Sequence, residues 1–164
     1  LLIEKGNKLK ILSLEKKIEY DLDFKELIFP VKIIGTIDRV DEWNGKLRIS
    51  DYKTGSVKKN KLKFSSNFTF EGLERQKSLE NSPLFQLLLY SYVYSKQNSH
   101  EGIKTGIIPI KTPKDYFYPV TISSDKENKD LLLINTFNQF EKELIAVIKK
   151  LFNENIAFIA NDSE

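Results

Sequence analysis

The chain has 164 residues, of which 40% are hydrophobic and 30% are charged, and these proportions are typical of one globular domain. It contains no apolar run near the roughly 20 residues of a transmembrane helix and no signal-peptide pattern, so we expect a cytoplasmic protein without a membrane partner. The absence of cysteine excludes a disulfide framework, a thiolate zinc site and an Fe–S cluster within the chain. A net charge of +3 permits nucleic-acid binding without arguing for it.

The first predicted elements are strands. Residues 9–24 have the character of two short strands, and residues 31–43 and 46–53 predict two longer strands on either side of Asn44-Gly45. This dipeptide favours a type I′ hairpin turn, because both of its residues tolerate a positive φ. Residues 55–81 are typical of a long loop or insertion with a lysine-rich start.

The second half of the chain predicts a helix, two strands and another helix. Ser82-Pro83 favours a helix start, with Ser as N-cap and Pro at the first helical position, and this helix should end near Lys96. Residues 103–110 and 116–122 predict strands, and residues 130–152 predict an amphipathic helix. Its apolar stripe contains Leu133, Phe137, Phe140, Leu144, Val147, Ile148 and Leu151. This order of elements predicts an α/β fold, with a central mixed β-sheet flanked by α-helices.

The hairpin brings two carboxylates together. Counting back from a two-residue turn at Asn44-Gly45, Asp38 faces Asp51, and Thr36 faces Lys53. Because side chains alternate along a strand, Asp38, Asp51 and Lys53 should share one face. Two carboxylates held opposite each other repel, and a divalent cation with oxygen ligands offsets this repulsion better than Lys53 alone. The pattern therefore predicts a metal site.

The surroundings of this acidic pair differ between the two faces of the hairpin. Val40, Leu47 and Ile49 lie on the same face as the pair and should belong to the core, so the metal site should lie at the rim of a buried face. On the opposite face, Asp41 meets Arg48 in what we expect to be a simple cross-strand ion pair.

Three sequence blocks resemble the core motifs of PD-(D/E)XK nucleases of the RecB-like branch, which includes the nuclease domains of AddB-type helicase–nucleases. The blocks are GTIDRVD at 35–41, RISDYKTG at 48–55 and QLLLY at 86–90. The resemblance implies a restriction-endonuclease-like core and a DNA nuclease that depends on Mg²⁺ or Mn²⁺, with exonuclease favoured over endonuclease activity. It also implies a nuclease module of a helicase–nuclease in DNA repair and recombination, with DNA and a helicase domain or subunit as partners.

The resemblance also implies roles for individual residues. Asp38, Asp51 and the backbone carbonyl of Tyr52 would bind the metal, and Lys53 would position or deprotonate the attacking water and offset phosphate charge. Glu15 lies in a segment that resembles one preceding the core in this family. The residues expected to support the site or contact DNA are Gln86, Tyr90, Thr54, Lys58 and Lys59.

Other interpretations stay open. Asp38, Asp51 and Lys53 could form a surface salt-bridge cluster, and Gln86 with Tyr90 could be a satisfied core amide beside a packed ring. The chain could also be an inactive nuclease-like module that holds DNA or a helicase partner. The intact set of two carboxylates and one lysine favours the enzyme.

One departure from the family concerns histidine. RecB-like nucleases carry a His on a helix upstream of these strands, and no His precedes Asp38 here. Because the chain also begins at Leu1 and contains no Met, we expect residues 1–164 to be a single nuclease domain that is a fragment of a longer protein.

Overall fold

The structure is a computed structural model that describes residues 6–25, 27, 29–70, 83–111, 116–123, 128–153 and 155. The strands are β1 (Leu9–Leu22), β2 (Val31–Trp43), β3 (Lys46–Lys53), β4 (Lys63–Ser65), β5 (Lys104–Pro109), β6 (Tyr118–Pro119) and β7 (Thr121–Ser123). The helices are α1 (Pro83–Gln97) and α2 (Ile134–Leu151), and a 3-10 helix spans Lys59–Leu62. The predicted start at Ser82 lies outside the described residues.

The strands form a mixed main sheet and a small second sheet. The main sheet has the order β1-β2-β3-β5-β6, in which β3 and β5 are parallel and the other neighbours are antiparallel. α1 lies in the connection between β3 and β5, as parallel neighbours require a long crossover. β4 and β7 form the second sheet, also in parallel. The predicted α/β fold, a mixed sheet flanked by helices, is confirmed.

The core lies where α1 packs between the sheet and α2. α1 is buried over most of its length and includes Leu84, Leu87, Leu88, Tyr92 and Val93 among its buried side chains. Such a helix is apolar on nearly all sides, because it serves as the inner layer of the fold. Within the described part of the chain, neither α-helix is both long and apolar enough to cross a membrane.

α2 buries one stripe of side chains, as its sequence predicts. The buried members are Phe137, Phe140, Leu144 and Ile148, with Val147 partly buried. Leu133 and Leu151 are exposed, because they lie at the two ends of the helix. The helix begins at Ile134 rather than near 130, because the preceding Leu132 forms a β-bridge with Ile103.

Three predicted elements are wrong in detail. Residues 55–81 do not form a loop throughout, because the 3-10 helix and β4 lie within them and bury Leu62 and Phe64 in the core. Residues 71–81 lie outside the described part. The predicted strand at 116–122 is two short strands, β6 and β7, interrupted where the N–H of Val120 bonds to the carbonyl of Thr105. The two short strands expected in residues 9–24 are one strand, β1 (Leu9–Leu22), with a register shift between Ile11 and Ser13.

Candidate active site

The β2–β3 hairpin has the predicted turn and the predicted register at its closed end. Asn44 and Gly45 have φ values of 52° and 76°, as a type I′ turn requires. The strands then pair as predicted, from the turn to Arg39 opposite Ser50, where the ladder ends. Asp38 and Asp51, and Thr36 and Lys53, therefore do not become ladder pairs, and the predicted direct pairing of these residues is wrong.

The ladder ends where the alternation of buried and less buried side chains along β2 shifts by one residue. Ile37 is fully buried and pairs with Lys16, whose Nζ lies 5.5 Å from the centre of the Tyr94 ring on α1. Val40 is also fully buried and pairs with Ile49, which shares a face of β3 with Lys53, the residue that bonds to Gln86 on α1. Residues three apart on a regular strand point to opposite faces, so β2 must be irregular between Ile37 and Val40.

Asp38 lies at this irregularity, beside a second one in β1. The residue of β1 that lies opposite Asp38 is Glu15, because Lys16, which follows Glu15, pairs with Ile37, which precedes Asp38. Glu15 is exposed and has a φ of 48°, a conformation that is unfavourable for a residue with a side chain. Both strands therefore leave regular geometry at Asp38, and its side chain is directed to β3 instead.

The Asp38 carboxylate is fixed by the backbone of β3. The N–H of Tyr52 donates to Oδ2 of Asp38 at 2.7 Å, so a side-chain oxygen takes the acceptor position at the end of the ladder. Tyr52 follows Asp51 directly, and this bond therefore holds the two carboxylates near each other. Asp38 therefore lies near Asp51 through a contact different from the predicted one, and the Asp38 charge acts on the Asp51 carboxyl. Their joint role as metal ligands stays a prediction.

Asp51 and Lys53 form the inner part of the site. Asp51 is 4% exposed, and Nζ of Lys53 lies 2.9 Å from its Oδ2. The pKa of Asp51 is raised, first by burial and also by the nearby Asp38 carboxylate, although the Lys53 ammonium opposes the rise. The site is therefore short of positive charge for two ionised carboxylates.

The oxygens present fit a divalent cation. Oδ2 of Asp51 is buried and accepts no hydrogen bond of good geometry, even though Lys53 is close enough for an ion pair. A buried carboxylate oxygen without a hydrogen bond is costly, and a hard cation with oxygen ligands would satisfy it. Among the described residues, no three or more His, Cys, Asp or Glu side chains gather as a metal site, which leaves the two Asp as carboxylate ligands. The Tyr52 carbonyl as third ligand stays a prediction.

α1 places two further predicted residues at the site. Oε1 of Gln86 accepts a hydrogen bond from Lys53 Nζ at 3.3 Å, and Nε2 of Gln86 donates to the Tyr90 hydroxyl at 3.2 Å. Gln86 and Tyr90 share one face of α1. Gln86 bonds to Lys53 as well as to Tyr90, so it is not only a core amide satisfied by a neighbouring ring.

A match to a family model decides the class of this protein. The model of the PD-(D/E)XK nuclease superfamily matches residues 4–163, nearly the whole chain. The chain belongs to this superfamily. Membership supports nuclease activity on DNA with a divalent metal, and the mixed sheet with flanking helices agrees with a restriction-endonuclease-like core. Comparisons with curated proteins and with solved structures found no match.

Gly35 on β2 is a further residue beside the candidate site, and the sequence motifs gave it no role. A Cβ at this position would lie 2.8 Å from Cε1 and 3.2 Å from the hydroxyl oxygen of Tyr90. A glycine inside a strand is a signal of close approach by another group, and this signal was present at the start of the GTIDRVD block. The sequence of β2 alone does not show that the approaching group is Tyr90.

On the face of the hairpin opposite to the candidate site, the predicted simple pair of Asp41 and Arg48 is part of a buried ion network. Asp41 is fully buried and accepts from Arg48 at 2.8 and 3.0 Å and from Nε of Arg39 at 2.6 Å. The Arg48 guanidinium lies 5.0 and 4.9 Å from the ring centres of Trp43 and Phe117. Two arginines thus neutralise and hydrogen-bond one buried carboxylate, which is the condition under which a buried charge is tolerated.

The remaining predicted residues lie beyond the end of β3. Thr54 and Lys58 are exposed. Lys59 begins the 3-10 helix, and its Nζ lies 4.5 Å from the centre of the Tyr118 ring. Their contacts with DNA stay predictions.

Proposed function

We propose that this chain is a Mg²⁺- or Mn²⁺-dependent deoxyribonuclease of the RecB-like branch, acting in the cytoplasm as the nuclease module of a DNA repair and recombination helicase–nuclease. The observation that supports the metal-dependent nuclease best is the Asp51 carboxylate. It is buried beside a second carboxylate and a lysine, and one of its oxygens has no hydrogen bond. Two carboxylates held together at a buried position are unfavourable with one lysine as the compensating charge, and a divalent cation would compensate them further.

Each residue of the site has a physical role in this proposal. Asp38 and Asp51 would hold the metal, with Asp38 oriented by the Tyr52 N–H and Asp51 oriented by burial. When bound, a divalent cation polarises the phosphoryl oxygen and lowers the pKa of bound water. Lys53 is held between Asp51 and Gln86, from where its ammonium can orient the attacking water and offset charge on the phosphate.

A cleavage assay tests the proposal. Linear and circular DNA would be incubated with the protein in Mg²⁺ or Mn²⁺, with Asp51→Ala as the matched control. We expect metal-dependent degradation of linear DNA by the wild type, with circular DNA resistant, because an exonuclease requires an end. Cleavage of both substrates would make the protein an endonuclease, and DNA binding without any cleavage would make it an inactive nuclease-like module.

The helicase–nuclease part of the proposal is tested separately. It would be supported by helicase motifs in the same reading frame, or by a helicase subunit that co-purifies with the native protein. Neither result bears on whether the isolated site hydrolyses DNA.

A further inference from the structure

We propose that Gly35 is a positioning residue for Lys53, acting through Tyr90 and Gln86. This inference rests on the proposed function, because the lysine has a defined place only if the site performs chemistry. The four residues form a continuous line from β2 through α1 to the end of β3.

The glycine is required for space. A Cβ at Gly35 would lie 2.8, 3.2 and 3.3 Å from Cε1, the hydroxyl oxygen and Cζ of Tyr90, closer than side chains approach without a shift. The backbone gives no other reason for a glycine, because the positive-φ glycines of the described chain are Gly6 and Gly45. A glycine inside a strand also weakens that strand, so its presence here fits a close contact rather than strand formation.

Tyr90 cannot move away without consequence. Its hydroxyl accepts a hydrogen bond from Nε2 of Gln86 at 3.2 Å, and its ring packs against the core. An added methyl group at Gly35 would displace the ring end that carries this hydroxyl. The Gln86 amide would then lose the partner that fixes its orientation.

The orientation of Gln86 sets the position of the Lys53 ammonium. The amide offers its oxygen to Lys53 because its nitrogen is engaged by Tyr90. Nζ of Lys53 is thereby held between Oε1 of Gln86, which accepts its hydrogen bond at 3.3 Å, and Oδ2 of Asp51, its ion-pair partner at 2.9 Å. Without Gln86, the ammonium keeps only its ion pair with Asp51, an oxygen that the metal also requires.

We call the contacts from Gly35 through Tyr90 and Gln86 to Lys53 the relay. A double-mutant cycle on the rate of DNA cleavage at saturating metal and DNA tests it. We expect Gly35→Ala and Tyr90→Leu each to lower kcat by about ten- to hundredfold with a smaller change in KM, because small misplacements of reacting groups cost this much. In the Tyr90→Leu background, Gly35→Ala should have little further effect, since both changes act through one side chain. Gly55→Ala is the matched control, because a Cβ at Gly55 would meet no atom within 4 Å.

Two outcomes of the Gly35→Ala measurements would overturn the relay. One is a Gly35→Ala rate equal to the wild type, and the other is a Gly35→Ala loss that persists in full when Tyr90 is Leu, which would place the effect in β2 itself. Tyr90→Phe guards against misfolding, because it removes only the hydroxyl and leaves the ring in place. It should reproduce the loss in kcat, and a wild-type rate in this variant would also overturn the relay.

A readout independent of cleavage separates this inference from the proposed function. If the wild type cleaves no DNA, the proposed function is wrong, and the relay is tested by the ¹⁵N–¹H signals of the Gln86 side-chain amide. Gly35→Ala and Tyr90→Phe should shift these signals, and Gly55→Ala should not. Unchanged signals in the first two variants would overturn the relay.

Discussion

The backbone N–H of Tyr52 donates to Oδ2 of Asp38 at 2.7 Å, at the end of the β2–β3 ladder. This bond gives the Asp38 side chain a structural role in addition to its proposed metal role. It also means that the carboxylates of Asp38 and Asp51 are brought together by a main-chain donor rather than by direct pairing.

Substitutions at Asp38 should separate these two roles. Asp38→Asn keeps an oxygen for the Tyr52 N–H, whereas Asp38→Ala leaves that donor without a partner. Without metal, we expect Asp38→Ala to be less stable than Asp38→Asn by about 1 kcal/mol in the free energy of unfolding. Urea denaturation of both variants measures the difference. Equal stability would show that the bond does not hold the strands together, although both variants should still lose metal-dependent cleavage.

Neutralising Asp51 should stabilise the metal-free protein. Burial raises the pKa of Asp51 in the folded state, so ionisation of this carboxyl opposes folding. The folded wild type should therefore become more stable as the pH falls from neutral through the folded-state pKa of Asp51. Asp51→Asn has no carboxyl at this position and should lack this increase in stability. Urea denaturation from neutral into mildly acidic pH measures this contribution. A lower stability of Asp51→Asn than of the wild type at neutral pH would contradict it.

The same variant controls for metal binding. Mn²⁺ or Mg²⁺ should raise the melting temperature of the wild type, because a ligand that binds only the folded state stabilises it. Asp51→Asn should show little of this increase. Equal increases in both proteins would place the ion at another position.

Glu141, at the contact between α1 and α2, should change the stability of the fold with pH in the direction opposite to that of Asp51. The Glu141 carboxylate accepts from the Tyr92 hydroxyl at 2.7 Å and lies 2.5 Å from Nζ of Lys96. Burial alone would raise the pKa of Glu141, but the bonds from Lys96 and Tyr92 outweigh it and lower the pKa. The resulting stability is present above the ordinary pKa of Glu and is lost as the pH falls through the lowered value.

Glu141→Gln should therefore remove part of the acid sensitivity of the fold. The amide keeps an oxygen for the Tyr92 hydroxyl, so the variant should fold, but its melting temperature should decline less on acidification than that of the wild type. If the two proteins lose stability in parallel as the pH falls, Glu141 does not contribute to the acid transition.

The sequence predicted the parts of the site that depend on local geometry. Asn44-Gly45 determines the register of the hairpin from the turn to Arg39, because a two-residue turn leaves no freedom in pairing. The shared face of Gln86 and Tyr90 follows in the same way from the helical repeat. Both relationships connect residues close in the chain.

The relationships that the sequence did not predict depend on distant residues. The phase change at Asp38 coincides with an unusual φ at Glu15 in a neighbouring strand, which no pattern within β2 indicates. The contact between Gly35 and Tyr90 joins a strand to a helix across the core. Similarly, Leu62 and Phe64 give structure to a polar segment because the core accepts their side chains.

Hydrolysis of DNA at this site is tested most directly by the rate of metal-dependent cleavage of linear DNA by Lys53→Ala compared with the wild type. The variant retains Asp38 and Asp51, so it should bind divalent metal and DNA as the wild type does. It lacks the ammonium that orients the water and offsets phosphate charge, and we expect its rate to be lower by roughly 10²–10⁴-fold. A wild-type protein that binds metal and DNA without cleaving would exclude hydrolysis at this site, and a Lys53→Ala variant that cleaves at the wild-type rate would exclude the role of Lys53.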